Sequence, residues 1–176
     1  TMKLRHLFFA CSGVFVMMFS LLLLVVIVFS DEEDGGSGGN LIYGGVSVSQ
    51  EVLAHKPMLE KYARESGIEE YLNVLLAIIQ VESGGTLEDV MQSSESLGLP
   101  PNSLSTEESI KQGCKYFSEL LAAAETKGCD LNSVIQSYNY GGGFLDYVAG
   151  RGKKYTFELA ESFSCLLYTS PSPRDR

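Results

Sequence analysis

Apolar positions along the chain follow three regimes. Leu7 to Phe29 is an uninterrupted run of 23 residues rich in Leu, Val, Phe, Ile and Met, with no charge. A helix rises about 1.5 Å per residue, so such a run spans a hydrocarbon core of about 30 Å. No polar face interrupts it, which argues against a core helix. Asp31 to Asn40 is acidic and then rich in Gly and Ser, the composition of a solvated linker. From Ser49 onward the apolar residues recur at helical spacing.

The predicted helices follow from that spacing and its punctuation. Ser49 is an N-cap for a segment carrying Val52, Leu53, Met58, Leu59, Tyr62 and Ala63, with Pro57 as a kink or restart and Gly67 as its end. A second helix runs from about Glu69 to Glu82, with Leu72, Leu75, Leu76, Ile78 and Ile79 as a broad apolar face, and stops at Gly84-Gly85. An irregular stretch follows to about Pro101, with a short turn of helix expected at Met91 to Ser96. Ser105-x-x-Glu108 is a capping box opening a helix to about Thr126, on which Ile110, Cys114, Phe117, Leu121 and Ala124 share a face. Asp130 caps a helix through Val134, Ile135 and Tyr138; Phe144 to Ala149 and Thr156 to Phe163 form two short ones. Val46 and Val48 alternate like a strand, but no strand pair emerges, so the exported part reads as all-α.

Charge adds orientation. Lys3, Arg5 and His6 precede the apolar run, and Asp31, Glu32, Glu33 and Asp34 follow it. By the positive-inside rule the N-terminus stays cytoplasmic and the remainder is extracytoplasmic. A cleaved signal peptide is the rival reading, but the run is long for one and ends Ile27-Val28-Phe29-Ser30 without a small-x-small site. The expected organisation is residues 1–30 as cytoplasmic start and transmembrane anchor, 31–45 as linker, 46–164 as the helical domain, and 165–176 as a disordered tail or a stretch foreign to the domain. Residues 46–164 carry 9 Lys and Arg against 17 Asp and Glu, which excludes a nucleic-acid partner in need of a basic face.

Of four cysteines, Cys11 lies in the apolar run and Cys165 in the tail. Cys114 and Cys129 are expected as unpaired thiols, because about 12 residues of helix, roughly 18 Å, follow Cys114. No Cys/His cluster suggests a metal, and no cofactor is expected.

Glu82 stands out chemically. It lies three, four and seven residues after Ile79, Ile78 and Leu75, on the apolar face, and at a helix C-terminus where the dipole is negative. Burial and dipole both disfavour its anion, and a carboxyl still protonated near neutral pH can protonate a leaving glycosidic oxygen. On periodicity alone, an early helix end would leave Glu82 merely facing water. Gly84 and Gly85 strip side chains beyond it, as if to let a polymer approach the backbone.

Val81-Glu82-Ser83-Gly84-Gly85, Asp89-Val90-Met91-Gln92-Ser93-Ser94-Glu95-Ser96 and Ser137-Tyr138-Asn139-Tyr140-Gly141, in that order, resemble motifs of the goose-type lysozyme and lytic transglycosylase superfamily. The likeness extends in particular to the muramidase domain of bifunctional cell-wall hydrolases of Gram-positive conjugative elements. It implies a lysozyme-like helical fold over about 46–164 and peptidoglycan glycan strands as substrate. It implies Glu82 as general acid, and a cleft lined by Ser83, Met91, Gln92, Ser93, Ser94, Tyr138 and Asn139. Tyr138 also reads as a core aromatic and Asn139 as a helix C-cap. Glu95 and Asp89 are the candidates for a second catalytic carboxylate, with Glu95 favoured and Asp89 equally readable as a cap of its turn. A base would make the enzyme a hydrolase cutting between N-acetylmuramic acid and N-acetylglucosamine; its lack would make it a lytic transglycosylase. A non-catalytic wall-binding component of a conjugation or secretion complex is the third reading. The cysteine peptidase domain of the bifunctional members does not follow in this sequence.

Overall fold

The computed structural model describes residues 41–43 and 46–169. The predicted anchor, Leu7 to Phe29, lies outside these residues; among the described residues no helix is long and apolar enough to cross a membrane. The described chain is mostly helical and falls into two compact units, one ending at Cys114 and one beginning at Lys115.

The first unit opens with a hairpin that the hydrophobic pattern did not predict. Strand β1 (Leu41–Tyr43) pairs antiparallel with β2 (Val46–Val48), in the register Leu41 to Val48 and Tyr43 to Val46. Three residues per strand are too few for alternation to declare itself. Ser49 caps α1 (Gln50–Ala54) as expected, its hydroxyl accepting from the Val52 N–H at 3.3 Å. The restart at Pro57 gives α2 (Lys56–Glu65), with proline in the first turn where its missing N–H costs no helical bond. A 3-10 turn, Glu69–Tyr71, leads into α3 (Leu72–Glu82).

Helix α3 is the centre of this unit. Val74 to Ile79 are six consecutive buried residues, so the helix is covered all round rather than on one face, and it packs against β2, α1 and α2. After a 3-10 turn at Ser94–Leu97 the chain enters α4 (Thr106–Lys127). The Ser105 box forms through the side chains: its N–H and hydroxyl both donate to Glu108 Oε2, at 3.1 and 2.6 Å. Cys114 is buried and free.

In the second unit Asp130 caps α5 (Leu131–Tyr140) and also accepts from the Tyr155 N–H at 3.1 Å, so one carboxylate ties a helix start to a distant loop. Helix α6 (Gly143–Ala149) packs on α5 and on α7 (Phe157–Thr169) around Phe144, Val148 and Ala160. Tyr140, Tyr147, Tyr155 and Phe163 surround that cluster, and Cys129 is a free, half-buried thiol against it. The last helix runs past the expected end at Phe163. Helix α7 continues through Thr169, although Leu166 and Leu167 are about half exposed.

Candidate active site

Glu82 is the last residue of α3. The helix ends there because the backbone turns at Ser83 and enters the left-handed region at Gly84 (φ +61°) and Gly85 (φ +78°). Gly85 does not open the surface as expected. A Cβ on Gly85 would lie 2.7 Å from the backbone carbon of Glu51 and the nitrogen of Val52, so that glycine exists to seat α1 against the end of α3. Around this contact Ser49 N–H donates to Gln80 Oε1 at 2.7 Å, and His55 Nε2 lies 2.9 Å from the Gly85 carbonyl. The end of α3 is therefore held from one side by α1.

From the other side it is held by the loop that follows. Ser83 Oγ donates to the Val90 carbonyl at 2.8 Å and accepts from the Gly85 N–H at 3.0 Å. This hydroxyl, expected against substrate, is engaged by backbone and fixes the distance between α3 and the loop.

Asp89 organises that loop. Its residue is wholly buried. Oδ1 accepts from the Ser93 N–H at 3.0 Å and from the Ser109 hydroxyl at 2.6 Å; Oδ2 accepts from the Ser94 N–H at 3.2 Å. Burial by itself pushes the Asp89 carboxyl up, but the hydrogen bonds from Ser109, Ser94 and Ser93 outweigh it and hold the group below its ordinary range. Asp89 is a buried anion whose hydrogen bonds cap its own turn.

Met91, Ser93 and Ser94 are buried, so their side chains build the inside of the loop. The Ser93 hydroxyl donates to the Ser109 carbonyl at 2.9 Å. Gln92 is half-buried with φ +48°, a conformation rare outside glycine. Its Nε2 donates to the Asp89 carbonyl and to Asn102 Oδ1, both at 2.8 Å. Glu95 heads the next turn and is exposed. Ser109 was not among the sequence candidates, although it stands beside Ile110 at the edge of the buried stripe of α4.

These elements bring three carboxylates into one field. Glu82 is half-buried, and its carboxyl is pushed up to about 7, first by burial and then by the negative charges of Glu95 and Asp89. Burial, expected from the helical spacing, is the larger cause, and the charges of Glu95 and Asp89 add to it. Glu82 is thus a carboxyl that holds its proton up to about neutral pH, in the field of an exposed carboxylate and an anchored one.

Tyr138 and Asn139 lie on α5 in the second unit. Tyr138 is buried, its ring 5.5 Å from that of Tyr116 and 6.4 Å from that of Phe117. Asn139 is half-buried and one residue inside the helix end; Gly141, with φ +82°, takes the C-cap expected of it. Among the described residues no cluster of His, Cys, Asp and Glu could hold a metal ion.

Residues 49–172 match the family model described as lysozyme-like. The chain is 45% identical over 125 residues to the bifunctional muramidase/DL-endopeptidase CwlT of Bacillus subtilis, a match covering 70% of this chain and 37% of that protein. It is 40% identical over 118 residues to the membrane protein YocA of the same organism, covering 66% of this chain and 52% of YocA. A crystal structure of an NLP/P60-family lipoprotein-like protein from Staphylococcus aureus superposes with a TM-score of 0.69 at 74% identity, over 69% of this chain and 41% of that one. The chain thus spans about half or less of the length of these relatives.

Proposed function

Because the chain belongs to the lysozyme-like family, we propose that it is a peptidoglycan hydrolase, an N-acetylmuramidase that cleaves the β-1,4 bond between N-acetylmuramic acid and N-acetylglucosamine. The observation that carries the proposal is the Glu82 carboxyl, pushed up to about 7 at the end of α3 beside the exposed Glu95.

In this reading Glu82 donates its proton to the glycosidic oxygen as the bond to the anomeric carbon breaks. The oxocarbenium-like centre that develops is positive, and the anionic field of Glu95 and Asp89 favours it. Glu95, open to water, takes a proton from the attacking water, whose oxygen bonds to the anomeric carbon from the opposite face. Asp89, with its oxygens occupied by Ser93, Ser94 and Ser109, orders the loop rather than touching water. Gln92, Tyr138 and Asn139 remain proposed substrate contacts, and Ser83, Met91, Ser93 and Ser94 shape the site from behind. Leu7 to Phe29 would hold the domain at the outer membrane surface facing the wall, raising its local concentration there despite the net negative charge. Association with a conjugation or secretion complex belongs to the same proposal.

Lytic transglycosylation at the same bond has one observation in its favour: only Glu95 of the two further carboxylates is open, so its failure as a base would leave ring closure of the muramoyl residue. The test is digestion of purified peptidoglycan by the whole chain and by Glu82→Gln, with products read by mass spectrometry. Reducing muropeptides from the unmutated chain alone are expected. Anhydro products, lighter by one water, would replace the hydrolase by the transglycosylase. Equal turnover by the variant would remove Glu82 from catalysis, and no turnover by the folded unmutated chain would leave a wall-binding scaffold.

A further inference from the structure

Ser109 lies in the first turn of α4, outside every motif discussed above, and is wholly buried. Three bonds join it to the loop between Asp89 and Ser94. Its hydroxyl donates to Asp89 Oδ1 at 2.6 Å and accepts from the Met91 N–H at 2.9 Å, while its carbonyl accepts from the Ser93 hydroxyl at 2.9 Å. The Ser109 N–H is itself fixed to the Ser105 carbonyl at 2.8 Å, the first bond of a helix 22 residues long. A rigid element thus grips the loop immediately before Glu95.

We propose that Ser109 is a positioning residue for the reaction, a buried hydroxyl that locks the Asp89–Ser94 loop to α4 and thereby sets where Glu95 stands relative to Glu82. This inference rests on the function proposed above.

The physical reason is the division of labour on Asp89. Two of its bonds come from the backbone N–H groups of Ser93 and Ser94, within the loop, and keep the turn folded. The bond to Ser109 alone leaves the loop for a helix. Removing the hydroxyl takes one of two donors from Asp89 Oδ1, which keeps the Ser93 N–H, and takes the Ser109 acceptor from the Met91 N–H, but leaves the turn itself bonded. The loop then keeps its internal shape and its ties through the Ser93 hydroxyl and the Val90 carbonyl, but loses the two side-chain bonds that hold Asp89 and Met91 to α4. Reaction geometry is sensitive to small displacements of a catalytic group, so rate suffers more than substrate affinity.

The experiment compares the unmutated chain, Ser109→Ala and Ile110→Val on soluble glycan chains, at a temperature where circular dichroism shows all three fully folded. Ile110 is the buried neighbour on the same turn and carries no polar tie, so its truncation reports a loss of stability alone. For Ser109→Ala the expected result is a fall in kcat of about tenfold or more with KM within about twofold, corresponding to interactions made in the transition state. Hydrogen exchange at the Met91 amide should quicken in parallel, and Ile110→Val should keep its kcat. A Ser109→Ala kcat within about twofold of the unmutated value, an unchanged Met91 exchange rate, or an equal loss in Ile110→Val would overturn the assignment. An unmutated chain without turnover would instead overturn the functional reading from which it starts.

Discussion

Glu82 should destabilise the fold in a pH-dependent way, and Glu82→Gln removes that effect without reference to any substrate. The carboxyl stands at about 7 in the folded protein against an ordinary value of 4.5. A raised carboxyl binds its proton more tightly folded than unfolded, so its contribution is most favourable below about pH 4.5 and is lost as pH rises through about 7. The difference of 2.5 pH units, at about 1.4 kcal/mol each, makes the anion cost about 3 kcal/mol above neutrality relative to a neutral isostere. Glutamine does not titrate. The stability advantage of Glu82→Gln should therefore be about 3 kcal/mol larger at pH 8.5 than at about pH 4.5, which corresponds to about 10 °C in Tm for a domain of this size. Urea unfolding of both proteins across that pH range measures the gap directly. A gap independent of pH would show that Glu82 is solvated in the folded state, and the case for it as a neutral-pH acid would fall. The same shift keeps the group about 90% protonated at about pH 6, where an ordinary glutamate would be about 3% protonated.

Two other substitutions test the surroundings. Glu95→Gln deletes the larger of the two charge effects on Glu82, so the pH-dependent gap measured in that background should narrow, its midpoint moving to lower pH, and turnover should fall about 100-fold if Glu95 is the base. Gly85→Ala places a Cβ 2.7 Å from the backbone of Glu51 and Val52 at a φ of +78°, which should cost about 2–4 kcal/mol in urea unfolding; a loss below about 0.5 kcal/mol would mean that α1 moves aside freely.

Legibility in the sequence followed how local each feature was. The N-caps at Ser49 and Asp130, the box at Ser105 and the end of α3 at Glu82 each depend on residues a few positions apart, and the structure places them where the pattern did. Glu82 was legible as a carboxyl facing apolar surroundings because its spacing from Leu75, Ile78 and Ile79 is a property of one helix. The hairpin was not legible, since three-residue strands carry too little periodicity, and neither was the extension of α7 over residues whose apolar side chains stay exposed.

Roles that depend on partners distant in sequence were decided only in three dimensions. Asp89 and Glu95 look alike on paper. One became a buried, hydrogen-bonded anion because Ser109, 20 positions away, donates to it, while the other stayed in water. Gly85 looked like an opening for substrate and proved to be the seat of α1, 34 positions earlier at Glu51. Sequence alone specified which groups can carry charge and where helices begin and end, because propensity, capping and periodicity act within a few residues. Tertiary packing determined which of those groups lost their water, because desolvation and hydrogen bonding depend on neighbours that the chain brings together only when it folds.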